Sequence, residues 1–182
     1  MRMSLDRSFL DRVVGAATLD RAAYDDIARD TGATPGAGLV VVMAALATGI
    51  AAAVDDGLTS IAVTLGAGVV SWLLSTLSAW YTGTELIRGR RPSVAFSEVL
   101  RVFGFAQAPG ILAIAGVVPE VSGIVAAVIG IWTFLTSLTA TRQVFDTSIP
   151  RAIAIVLVAF LVSIVIIVIA SWILGTSAVF LV

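Results

Sequence analysis

Five stretches without a charged residue, at 36–54, 57–83, 102–119, 121–141 and 152–174, make up most of this 182-residue chain. Hydrocarbon offers no hydrogen-bond partner to a peptide group, so a segment crossing a core of about 30 Å must be a helix of roughly 20 apolar residues. The five stretches have that character, and short polar links join them. An all-α, polytopic membrane protein with five antiparallel neighbours follows. Composition agrees: 13% of residues are charged and mean hydropathy is +1.06, where a soluble domain carries about 25% charge. The third stretch is the shortest. A helix beginning near Ser97 lengthens it to 97–119, with Arg101 reaching back to the headgroups.

The remaining chain divides into a polar segment, 1–35, and the membrane domain, 36–182. No secretory signal is read in the opening residues. Phe9, Leu10, Val13 and Val14 recur at helical spacing beside Asp6, Arg7, Asp11 and Arg12, which predicts a short amphipathic helix lying on the headgroups. A second helix is expected from Asp20 to Asp30, apolar at Tyr24, Ile27 and Ala28 and stopped by Gly32. Thr34 and Pro35 then have the character of an N-cap and a first-turn residue. All 11 basic residues are Arg. They precede the first span, lie between the second and third, and lie between the fourth and fifth. The other connections carry only Asp55, Asp56 and Glu120, so basic-residue asymmetry predicts a cytoplasmic N-terminus and an outer C-terminus.

Chemistry is bounded by what is missing. With no His, Cys or Lys, imidazole bases, thiol nucleophiles, Schiff bases, disulfides and the usual zinc ligand sets are excluded. No cofactor and no enzymatic activity are expected. A net charge of -1 gives nucleic acid nothing to bind. No ionisable residue lies deep in a span, which argues against a proton-coupled pump. The pairs Asp25-Asp26 and Asp55-Asp56 read as solvated surface, since two adjacent carboxylates make a poor cation site.

The densest motif is Tyr81-Thr82-Gly83-Thr84 followed by Phe96-Ser97-Glu98-Val99-Leu100-Arg101-Val102-Phe103-Gly104-Phe105-Ala106-Gln107-Ala108-Pro109-Gly110. Pro119, Trp132, Arg142-Gln143 and Arg151-Ala152-Ile153 follow in order. Together they resemble the Yip (Ypt-interacting-protein) family of five-span membrane proteins in its short prokaryotic form. The resemblance covers nearly the whole chain and implies a five-helix fold with a cytoplasmic N-terminus. For eukaryotic members it also implies work in vesicle trafficking through small GTPases. Those relatives carry a longer N-terminal region than the 35 residues here, and the short form has no settled role to carry over.

Two readings of the polar residues stay open. Pro109 removes a mid-helix donor, so a break is expected near Ala106. Gln107 beside it either satisfies the groups so freed or lines a polar cavity. On the second span Ser60, Thr64, Gly68, Ser71, Ser75, Ser78 and Thr82 share one face, and Thr133, Thr136, Ser137 and Thr141 form another on the fourth. These faces serve close packing or border a path between spans two, three and four, with Gln107, Pro109, Ser71, Ser75, Thr133 and Ser137 as its candidates. Arg88, Arg90 and Arg91 are the candidate contacts for anionic lipid headgroups. The expected setting is a prokaryotic plasma membrane. The function read from the sequence is a membrane organiser that binds a membrane-protein partner or a second copy of itself; a small channel or transporter is the alternative.

Overall fold

The computed structural model describes residues 7–87, 90–91 and 93–173. Asp6, Arg88 and residue 174 lie outside these, as do the side chains of Asp55, Asp56 and Trp172. Among the described residues the chain is helical: α1 (Phe9–Ala17), α2 (Arg21–Arg29), α3 (Thr34–Asp56), α4 (Thr59–Tyr81), α5 (Phe96–Phe105), α6 (Pro119–Phe145) and α7 (Ile149–Ile173). A π turn, Thr82–Leu86, extends α4, and a ten-residue 3₁₀ stretch, Ala108–Val117, extends α5. Five of these units are long and apolar enough to cross a membrane, the third being Phe96–Val117.

The third span owes its reach to that 3₁₀ stretch. Its charge-free part is short, but a 3₁₀ helix rises about 2.0 Å per residue against 1.5 Å for an α-helix. Ten such residues bring the span to roughly the full hydrocarbon thickness. It runs beside α3 in the same direction. A Cβ on Gly104 would stand 2.7 Å from the Cβ of Ala37, one on Gly110 would stand 2.9 Å from that of Ala44, and one on Gly116 would stand 3.6 Å from that of Ala51. α4 returns against α3, and the Ser60 hydroxyl donates to the Gly49 carbonyl across that hairpin at 3.3 Å. α7 packs against α4 and α6, and α6 closes the bundle on the third span.

Burial is uneven along the membrane normal. Tyr24, Ile27, Phe103, Phe105, Val144, Phe145 and Ile155 are fully or almost fully buried, all towards the arginine-rich end. At the opposite end Ile124, Val128 and Ile131 of α6 are exposed, as a lipid-facing surface must be.

The helices α1 and α2 form a hairpin docked on this buried end. Ser8 and Asp11 make a capping box at the start of α1, and the Asp20 side chain caps α2. The Phe9 and Val13 face of α1, expected against headgroups, instead packs on the protein core. Phe9 lies 6.0 Å from Phe105, ring centre to ring centre. An apolar surface buries itself against whichever apolar partner is nearest, and here that partner is the third span.

Gly104 is the tightest crossing of α3 with the third span, its missing Cβ also lying 3.0 Å from the Ala37 carbonyl oxygen. Gly104→Val is expected to cost about 1–3 kcal/mol through overpacking against backbone that cannot give way. Gly66, with nothing near its absent Cβ, should accept the same change with little loss. Thermal unfolding of the two variants in one detergent checks the contrast.

Candidate functional site

The break in the third span is the chemically distinctive point of the membrane interior. Pro109 has no N–H, and its ring excludes an α-helical turn before it. α5 accordingly ends at Phe105. The chain then tightens: the Gln107 amide bonds the Gly104 carbonyl at 3.1 Å and the Gly110 amide bonds the Gln107 carbonyl at 2.8 Å. In an α-helix Gly110 would have bonded Ala106, so the change of pitch leaves the Ala106 carbonyl open. The buried Thr136 hydroxyl of α6 donates to it at 2.7 Å. That role belongs to Thr136 and not to Gln107. Gln107 is half-buried, and its side-chain amide forms no hydrogen bond among the described residues.

The other polar candidates are dispersed. Ser75 is buried and donates to the Trp72 carbonyl of its own helix at 3.0 Å. Ser71 and Thr133 are half-buried, and Ser137 is fully buried with an unpartnered hydroxyl. Thr76, which the sequence did not single out, is likewise fully buried and unpartnered. α4 packs on α3, α5 and α7, and α6 packs on the third span, α7 and α2, so the two hydroxyl-bearing helices share α5 and α7 as neighbours.

The arginine-rich end is where the sequence motif converges. At Thr82–Leu86 the helix widens, with the Ile87 amide bonding the Thr82 carbonyl at 2.7 Å. A Cβ on Gly83 would lie 2.5 Å from the Phe145 ring, so only glycine lets α4 and α6 meet there. Trp72 and Trp80 tie α4 to the third span and its lead-in, donating to the carbonyls of Leu100 at 3.2 Å and Val94 at 2.9 Å. Arg91 bonds the Val144 carbonyl at 3.2 Å and pairs with Glu98 at 3.3 Å. The Arg90 amide bonds the Asp146 carbonyl at 3.4 Å, and both arginine side chains remain exposed.

Three motif residues point at the α1–α2 hairpin. Arg101, expected to reach for headgroups, is 3% exposed and donates through Nε to the Ile27 carbonyl at 3.1 Å and through a terminal nitrogen to Ala28. Those are orphan carbonyls at the negative end of α2, which is why a cation is held there. Trp132 donates to the Ala17 carbonyl at 2.7 Å, and Gln143 donates to Asp25 at 2.8 Å. Within the hairpin Arg7 pairs with Asp20 at 2.8 Å, and Arg12 pairs with Asp26 at 2.8 Å and Asp30 at 2.6 Å. The hydrogen bond from Arg7 holds the Asp20 carboxyl below its ordinary value. For Asp30 the Gly32 backbone amide does most of this and Arg12 adds to it. Burial pushes the Tyr24 phenol up, and its hydroxyl donates to the Ala16 carbonyl.

A family model described as the Yip1 domain matches residues 17–172. Neither a curated protein nor a solved structure matches the chain.

Thr136→Val removes the donor to Ala106 and keeps the side-chain shape. The expected loss lies between about 0.6 kcal/mol, the mean for interhelical bonds in membranes, and about 3 kcal/mol for a buried carbonyl left unpaired. Thr136→Ser should restore most of it, and unfolding in detergent reads both. A second expectation concerns pH. Asp20 and Asp30 titrate below the ordinary 3.8 when folded, so their stabilisation is complete above that value and disappears as pH falls through the lower folded values. Spin labels on Leu10→Cys and Ala22→Cys, exposed positions on the two helices of the hairpin, should stay at a fixed separation at neutral pH and spread as α1 and α2 come apart in strong acid.

Proposed function

The chain belongs to the Yip1 domain family, a multi-pass membrane protein of the Yip type, and we propose that it is a non-enzymatic scaffold that organises the bilayer or holds a membrane-protein partner. Supporting this is the engagement of its polar groups. Thr136 completes the broken span, Ser75 and Thr141 bond within their own helices, and Arg101, Trp132 and Gln143 secure the hairpin. A protein whose broken span is tied to its neighbour by Thr136 and whose hairpin is tied to the bundle by Arg101, Trp132 and Gln143 is built for a fixed shape.

The proposal places the N-terminus in the cytoplasm of a prokaryotic cell, on the strength of the arginine asymmetry. Exposed Arg90 and Arg91 are proposed contacts for anionic headgroups, each worth about 1 kcal/mol near a charged surface. Protein contact is proposed with another membrane protein or a second copy of the chain.

One observation favours a second reading, that of a small channel or transporter: the half-buried Gln107 amide has no partner among the described residues beside a broken helix. Flux of ions and small polar solutes through purified protein in liposomes separates the two. The scaffold gives leakage no greater than protein-free liposomes, and Gln107→Leu changes nothing. Flux above that level that vanishes in Gln107→Leu would replace the scaffold with the transporter.

A further inference from the structure

One face of α6 ends in a charge that no group of the protein answers among the described residues. Ile124, Val128, Ile131, Leu135, Leu138 and Arg142 follow one another at intervals of 4, 3, 4, 3 and 4, which traces a single line down an α-helix. The first four are exposed and Leu138 is half-buried. Beside them the Thr139 hydroxyl donates to the Leu135 carbonyl of its own helix at 3.0 Å, so the line presents apolar surface until its last member. From Glu120 to Arg142 the helix rises about 33 Å, and from Ile131 to Arg142 about 16 Å. Against a hydrocarbon core of about 30 Å, Ile131 stands near mid-membrane and Arg142 at the boundary on the arginine-rich side.

Arg142 also differs from its fellow arginines. Of the described arginines that are at least half-buried, Arg7 and Arg12 pair with carboxylates and Arg101 with carbonyls. Arg142 is half-buried with its Nε enclosed and unpartnered, and its guanidinium forms no ion pair or hydrogen bond among the described residues. A cation so placed has given up water without gaining an anion, which is costly unless one is supplied from outside the chain. The following turn leaves room for a negative charge. Its one acid is Asp146, set against Arg142, exposed Arg151 and exposed Arg90, whose amide bonds the Asp146 carbonyl.

From this pairing of stripe and cation we infer that α6 seats one anionic phospholipid of the leaflet at the arginine-rich end. An acyl chain lies along Ile131, Leu135 and Leu138, and the phosphodiester rests on the exposed side of the Arg142 guanidinium. The fit is in length and in charge. The stripe from Arg142 to Ile131 has the depth of one leaflet, and a guanidinium fork matches two phosphate oxygens. A headgroup of net negative charge is favoured over a zwitterionic one, whose own cation would stand beside Arg142 and Arg151. This seat is separate from the contacts proposed for Arg90 and Arg91, and it rests on neither the scaffold nor the transporter reading.

The absence of native Cys lets a fluorophore be placed on Leu135→Cys in the full protein, reconstituted in phosphatidylcholine with rising fractions of phospholipid brominated along the acyl chain. Brominated phosphatidylglycerol should quench it at about a five-fold lower fraction than brominated phosphatidylcholine does. Arg142→Gln should remove that preference, and Arg142→Lys should keep part of it. A label on Ile124→Cys, on the same face in the other leaflet, should show no preference in any variant. Equal quenching by the two lipids at Leu135, or a preference that survives Arg142→Gln, overturns the inference. If Arg90→Gln removes the preference while Arg142→Gln does not, the anionic lipid belongs to the contact proposed for Arg90 and this seat fails alone. Quenching by neither lipid means that another helix covers the stripe, and reversal by free phosphate makes the ligand a soluble anion; either result overturns it as well.

Discussion

Every backbone carbonyl in hydrocarbon needs a donor, and Pro109 guarantees that one will be short of its own. The consequence spreads outward from that residue. Loss of the α-helical pitch lengthens the third span enough to cross the membrane, and the same change opens the Ala106 carbonyl. Thr136 then fixes the height of α6 relative to the third span. With α6 set, Trp132 and Gln143 fall level with the hairpin, and Phe145 falls level with Gly83. A broken helix is often read as a sign of transport; here its open group is already satisfied from a neighbouring helix.

Much of the fold was legible because lipid imposes a simple rule. Charge-free length predicted five spans, and the described helices fall close to the expected limits. Pro109 predicted the break. What periodicity could not supply was the partner of each polar group. Arg101 read as a headgroup seeker because a lone arginine near a span end normally is one; its true acceptors, Ile27 and Ala28, lie more than 70 residues earlier. Phe9 and Val13 were legible as an apolar face, but nothing in their spacing distinguishes a lipid surface from the side of another helix. Thr136 belonged to a hydroxyl face already noticed, and only the pitch change beside it gave that one hydroxyl a distinct task.

The polar candidates illustrate the same limit. A hydroxyl stripe on each of two spans suggests a shared lining only if the two helices meet. α4 and α6 both pack on α5 and α7 and meet where Gly83 faces Phe145, while the hydroxyls of Ser75 and Thr141 turn back to carbonyls of their own helices. The converse holds at the arginine-rich end, where residues scattered from Arg7 to Gln143 come together without any local pattern announcing it.

The hairpin's tethers also impose an order in time. The Ala17, Ile27 and Ala28 carbonyls and the Asp25 carboxylate emerge first, but their donors, Arg101, Trp132 and Gln143, come 73 to 118 residues later. At synthesis rates of about 5–20 residues per second, the last of these donors arrives on the order of ten seconds after its acceptor. The first two spans are made before Arg101 emerges to cap α2, and most of the fourth before Gln143 emerges. Docking of the earliest-made segment is thus a late step of assembly, conditional on the fourth span being in place.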